Sequence, residues 1–177
     1  NHLRQSKRRR RRKKGSRANY FSVAGKVSIC DRPAVVDRRQ RIGDWEGDLI
    51  RGKDAKSHLV TLVDRRSGYL LLKRVSNKKS DVVRKAIVSL LKQVPRRLRR
   101  TLTFDNGTEF SEFKNMESAL SLKVYFANPY SSWERGSNEN TNGLVRQYLP
   151  KGKDFFSVSR QELANIHRRI NNRPRKR

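Results

Sequence analysis

The chain has 177 residues, with 44 Lys or Arg against 16 Asp or Glu and a formal charge of +28 at pH 7. That length suffices for one domain with a real core plus extensions, and the charge selects polyanionic partners, nucleic acid ahead of an acidic membrane surface. The longest apolar run, Tyr69–Leu72, is far too short to span a bilayer, and a single cysteine, Cys30, excludes an internal disulfide and a multi-cysteine zinc site.

Cys30 reads as a small, partly buried thiol, and the cysteine usage suits a reducing cytoplasm. The chain begins with Asn and shows no signal peptide, so it reads as a fragment whose true start is unknown. Residues 1–20 carry ten basic residues and no acid, which leaves +18 on the remainder. The run Lys7–Lys14 repels itself and does not fold alone; it reads as a phosphate-binding arm, with Arg8, Arg9 and Arg10 at its centre. Residues 1–40 are thus a basic, partly disordered arm and connector, and residues 41–177 the folded domain.

Regular structure is expected from Asp44. In "RIGDWEGDLI" (41–50), Asp44, Glu46 and Asp48 recur at every second position and share one face of a strand. Like charges stacked on one face repel and resist burial. "SHLVTLVD" (57–64) and "GYLLLKRV" (68–75) read as a hairpin joined by "RRSG". "SDVVRKAIVSLLKQV" places apolar residues at 82/83, 86/87 and 90/91, a helical spacing, with Ser80 as its N-cap. "TLTFD" (101–105) is a strand. "SEFKNMESALS" is a short helix with Phe113, Met116 and Leu120 on its core side. "KVYFA" (123–127) is a fifth strand, and "NPYSSWERGSN" (128–138) a loop. "ENTNGLVRQYL" is a helix stopped by Pro150. The last helix, "SRQELANIHRRI", opens on a capping box of Ser159 with Glu162. The order β-β-β-α-β-α-β-α-α predicts a mixed sheet with helices on its faces.

Three acids stand where structure alone does not ask for them: Asp48 inside the first strand, Asp105 at the end of "TLTFD", and Glu139 at the start of a helix. If the first and fourth strands are neighbours, and the helix after the fifth packs on them, the three carboxylates meet at one corner. Adjacent carboxylates cannot all ionise cheaply. Divalent cations resolve that conflict, since Mg²⁺ takes hard oxygen ligands and shares phosphate oxygens with a substrate. A metal-binding acid cluster in a polyanion-attracting protein points to phosphodiester chemistry.

"WEGDLI", "FDNGTEF", "WERGSNENTNGLVRQYLPKG" and the ending "INNRPRKR" together resemble the IS30 family of bacterial insertion-sequence transposases, over about residues 41–177. The resemblance implies an RNase H-like, integrase-type catalytic domain: a mixed five-stranded sheet flanked by helices. It implies a DDE triad at Asp48, Asp105 and Glu139, holding two Mg²⁺ or Mn²⁺ ions with Asp48 bridging both. It also implies cleavage of double-stranded DNA at element ends and joining of the freed 3′-OH to target DNA by a homo-oligomer in a synaptic complex. A bacterial cytoplasmic, nucleoid-associated setting follows. Arg146, two helical turns after Glu139, is assigned to DNA phosphate, as are Lys151 and Lys153. Two departures stand out. The family's helix-turn-helix region, which recognises element ends, is missing from this chain. Glu134 places an acid in "WERG" that competes, from a loop, for the third position.

Asp44 and Glu46 read as solvent-exposed at the strand start, paired to Arg41 or Arg51, with Glu46 also a candidate support for the site. Asn106 either orients Asp105 or stabilises its turn. Tyr130 and Trp133 either stack on bases or pack their loop. His58 and His167 lack metal-ligand spacing. Two rival readings remain: an RNase H-like nuclease of RNA–DNA hybrids, and an inactive nucleic-acid-binding fragment.

Overall fold

A computed structural model describes residues 25–53, 57–129 and 131–174. Five strands form one sheet: β1 (Asp44–Arg51), β2 (His58–Asp64), β3 (Leu70–Val75), β4 (Thr101–Phe104) and β5 (Lys123–Phe126), in the order β3-β2-β1-β4-β5. The β1–β2 and β2–β3 pairs are antiparallel, and the β1–β4 and β4–β5 pairs parallel. The β2–β3 hairpin closes as its turn chemistry demands. Asp64 Oδ1 accepts from the backbone N–H groups of Arg66 and Ser67, and Gly68 takes φ +68°.

Every residue of β2 is buried, because helices cover both sides of the sheet. On one side Val60 and Leu62 meet α2 (Ser80–Lys92) and α3 (Phe113–Leu120), whose buried residues include Val83, Ile87, Leu91, Phe113, Met116 and Leu120. On the other, Leu59 and Val63 meet α4 (Gly136–Tyr148) and α5 (Arg160–Asn171) through Val145, Leu149, Ile166 and Ile170. Strand alternation sorts β1 the same way. Trp45 joins the first core, whereas Ile50 joins the second, so Asp44, Glu46 and Asp48 point to the α4 side. Gly47 lies between them on the opposite face. A Cβ there would stand 2.3 Å from the Phe104 ring, so the packing of β1 against that core requires glycine.

Residues 25–40, read from sequence as connector, pack on the sheet. Ser28 bridges to Phe126, α1 (Ala34–Asp37) buries Val36, and the buried Arg32 donates to Thr103 Oγ1. Three further expectations are corrected. Cys30 is exposed. The N-cap of α2 is Lys79, whose N–H bonds Asn77 Oδ1, so Ser80 lies inside the helix. The segment 128–138 is largely ordered, with a 3-10 turn over Ser132–Arg135 and α4 beginning at Gly136. The cap of α5 is as expected, Ser159 Oγ accepting from Glu162 N–H. Among the described residues, no helix is long and apolar enough to cross a membrane.

Candidate active site

Each of the three acids on β1 has its own partners. Asp44 is buried, not exposed; it takes two hydrogen bonds from Arg41, at 2.9 and 3.2 Å, and one from Thr101 Oγ1 at 2.8 Å. Glu46 is fully buried. It pairs with the buried Arg65 and accepts the Asn138 backbone N–H at 2.8 Å. The expectation of exposure fails for both because α4 and the β2–β3 turn close over this face; Asp44 keeps the expected local partner Arg41, whereas Glu46 takes its cation, Arg65, from the β2–β3 turn. Asp48 accepts from Leu49 N–H at 2.8 Å and from Asn142 Nδ2 at 2.7 Å. A cationic contact, Arg135 Nη1 at 3.7 Å, is looser.

Asp48 and Asp105 flank a fork in the sheet. The parallel ladder between β1 and β4 ends at the Glu46–Thr103 pair. Asp48 follows two residues later, and Asp105 is the first residue after β4. Parallel strands offer such a crevice beyond their carboxyl ends, where ligand sites commonly form. Asp105 Oδ1 accepts from Gly107 N–H at 3.0 Å, and Oδ2 accepts from Arg135 Nη2 at 3.1 Å. Asn106 serves the turn: its amide donates to Ala127 O at 2.7 Å and accepts from Lys26 Nζ.

The third carboxylate comes from α4. Asn138 and Asn142, one turn apart, both meet the Thr61 hydroxyl on β2, and Glu46 holds the Asn138 N–H. These contacts fix the first turns of α4 against β1 and β2. Glu139 then lines, with Asp48, Arg135 and Asn142, an open cleft of about 160 Å³. Glu134 does not compete. Its carboxylate accepts from the backbone and side-chain N–H of Asn128, at 2.8 and 2.9 Å, and braces the approach to α4.

Burial pushes the Asp48 carboxyl above its ordinary range, with Asp105 adding to the rise and Arg135 opposing it. Asp48 and Asp105 thus flank one guanidinium. Among the described residues, no three His, Cys, Asp or Glu side chains stand together as a ready set of metal ligands. The donor chemistry nonetheless suits hard divalent cations. Asp48 and Glu139 face one cleft, and a cationic group already lies between Asp48 and Asp105.

Of the residues assigned to DNA, Arg146 donates to Arg51 O at 2.7 Å and sits 5.7 Å from the Phe155 ring centre, so it braces α4 to the end of β1. Lys151 and Lys153 are exposed in the turn after α4, and a hydrogen bond from Lys53 N–H to Lys153 O brings that turn beside the exposed Arg51 and Lys53. Arg8, Arg9, Arg10 and Tyr130, and the Trp133 side chain, lie outside the described residues. Sequence reading missed Arg135, Asn142 and Lys53. A signal existed for the first two: "RGSNENTN" sets a cation four residues before Glu139 and amides at 138 and 142, one helical turn apart.

Residues 38–132 match the model of the integrase core domain family. The chain is 44% identical over 170 residues to the transposase for insertion sequence element IS4351 of Bacteroides fragilis, across 96% of this chain and 52% of that protein. It is 41% identical over 168 residues to transposase InsI for insertion sequence element IS30A of Escherichia coli (strain K12), across 95% of this chain and 43% of that protein. The chain therefore spans about half the length of the curated relatives it matches. The fold is also that of the catalytic core domain of BIV integrase, with TM-score 0.51 and 18% identity over 61% of this chain and 69% of that one.

Proposed function

Since the chain belongs to the integrase core domain family, we propose that it is the catalytic core of a DDE transposase of the IS30 family, cutting DNA at insertion-sequence ends and joining the freed 3′-OH to target DNA. One observation carries this reading. Asp48 and Glu139, from β1 and α4, line one cleft, and Asp105 reaches the same place through a guanidinium it shares with Asp48. The names of the similar proteins support it.

Asp48, Asp105 and Glu139 would hold Mg²⁺ or Mn²⁺, which when bound would activate the attacking oxygen and stabilise the leaving one. The chain's own contribution is positioning and charge. Glu46 and Thr61 hold α4 so that Glu139 faces Asp48. Asn142 orients the Asp48 carboxylate through one oxygen. The exposed Arg51, Lys53, Lys151 and Lys153 border the turn after α4 and take DNA phosphates, together with the basic residues Arg8, Arg9 and Arg10. Arg146 aligns this basic rim with β1. The active species is a synaptic homo-oligomer on double-stranded DNA.

A strand-transfer assay with pre-cleaved element-end DNA and Mg²⁺ tests the reading. The chain joins those ends to target DNA, and Asp48→Asn abolishes cleavage and joining while DNA binding stays within about twofold. Hydrolysis without joining would instead identify a nuclease, and joining retained in Asp48→Asn would remove Asp48 from the site.

A further inference from the structure

The acid–cation pairs along β1 differ in a systematic way. Asp44 is held by Arg41 Nε and Nη2 and by Thr101. Glu46 is closed against Arg65, whose Nε also reaches Val36 O. In both pairs the carboxylate is buried, and each acid has a cation of its own. The third cation, Arg135, is shared between two carboxylates from different strands: 3.1 Å from Asp105 Oδ2 and 3.7 Å from Asp48 Oδ1. Its Nη1 also lies 3.4 Å from Gly47 O, and its Nε is buried with no hydrogen-bond acceptor among the described residues. Arg135 is therefore less well satisfied than Arg41 or Arg65, yet its side chain is only 15% exposed. It borders the cleft that Asp48 and Glu139 line, at the end of a short 3-10 turn.

We infer that Arg135 is an internal counter-cation of the carboxylate site: without metal it neutralises Asp48 and Asp105 together, and divalent cations bind by displacing it. This rests on the metal-binding role proposed above for the two acids. The physical argument is competition. A guanidinium and a divalent ion cannot occupy the same two carboxylate oxygens, and their like charges repel at that range. Without a cation between them, Asp48 and Asp105 would present like charges across the gap that Arg135 bridges. Arg135 relieves that conflict in the empty protein, so it lowers the protein's affinity for metal. Its loosest contact is with Asp48, which lines the cleft, so exchange is feasible without disturbing the core.

The test is Mn²⁺ binding to the full chain without DNA, followed by the free-ion paramagnetic resonance signal and by thermal melting. Arg135→Gln binds Mn²⁺ about three- to tenfold more tightly than wild type, the scale expected from losing two partly exposed ion pairs. Arg135→Lys, which keeps the charge but cannot reach both acids in one planar fork, falls between. In EDTA, Arg135→Gln melts below wild type, and saturating Mn²⁺ closes that gap. Equal or weaker Mn²⁺ binding by both variants, with native circular dichroism, overturns the inference while wild-type binding lost in Asp48→Asn leaves the metal-site reading standing. If wild type binds no Mn²⁺ at all, that reading falls and this one with it.

Discussion

Replacing Glu46 with Gln keeps its size and removes only its charge, so it isolates what the buried pair does. Glu46 is fully enclosed and Arg65 is 5% exposed. In the variant Arg65 keeps its bond to Val36 O but loses its carboxylate. The new amide has one acceptor oxygen facing two donors, Arg65 and the Asn138 N–H. Removing the opposite charge from a buried pair costs up to about 3–5 kcal/mol, a large part of the roughly 5–15 kcal/mol that holds a domain together. For a chain of this length that corresponds to a fall in Tm of roughly 6–20 °C. Urea denaturation followed by circular dichroism measures it, with the midpoint shifting and the slope unchanged. Because Glu46 also fixes the residue before Glu139, strand transfer at a temperature where the variant is folded drops in rate more than in DNA affinity. A double variant, Glu46→Leu with Arg65→Met, regains most of the stability, since apolar replacement of a buried pair is often neutral. It does not regain the rate, because the tether to Asn138 is absent. A stability loss below about 1 kcal/mol together with normal strand transfer would refute both the energetic argument and the tether.

Two further outcomes follow from the site. The raised Asp48 carboxyl must ionise to bind a cation, so Mn²⁺ uptake declines as pH falls through that raised value, at a higher pH than for an ordinary carboxylate near 3.9; calorimetric titration across pH reads it. The metal-free folded state binds this proton more tightly than the unfolded chain does, so the Asp48 contribution to stability increases as pH drops from above the raised value to about 3.9 and is constant below. Asp48→Asn removes that segment of the stability profile, and an unchanged profile would contradict the assigned burial. Separately, the double variant Lys151→Ala with Lys153→Ala weakens binding to all DNA sequences alike and reduces the salt slope of log K by about 2, at roughly 0.9 per phosphate. A changed sequence preference at constant slope would argue against phosphate contacts.

The sheet and its helices were legible because their signals are local: β-branched, Leu and Tyr residues either side of the "RRSG" turn for β2 and β3, helical spacing in α2 and α3, Ser159 before α5. That the first and fourth strands are neighbours was open to topological reasoning; it sets Asp48 and Asp105 on either side of Arg135, while Glu139 lines the cleft beside Asp48. What escaped was polar pairing between distant segments. Nothing near Glu46 in sequence announces Arg65, which lies in a hairpin turn, or Asn138, 92 residues away. The enclosure of Asp44 depends in the same way on Thr101, 57 residues on. Residues 25–40 lack the apolar periodicity that marks an element, and their docking relies on Arg32 with Thr103 and on Val36 with Arg65. Arg135 sits in a stretch whose Gly, Ser and Pro content reads as loop, and its role emerges only when β1 and β4 diverge around it.

The fork between β1 and β4 has a consequence for the order of biosynthesis. Its floor is laid by the first half of the domain, but Glu139 and the helix that carries it are made last among the acids. A nascent polypeptide still short of α4 holds two of its carboxylates and neither Arg135 nor the amides that seat the third. Under the function proposed above, such an unfinished product carries an incomplete set of acids.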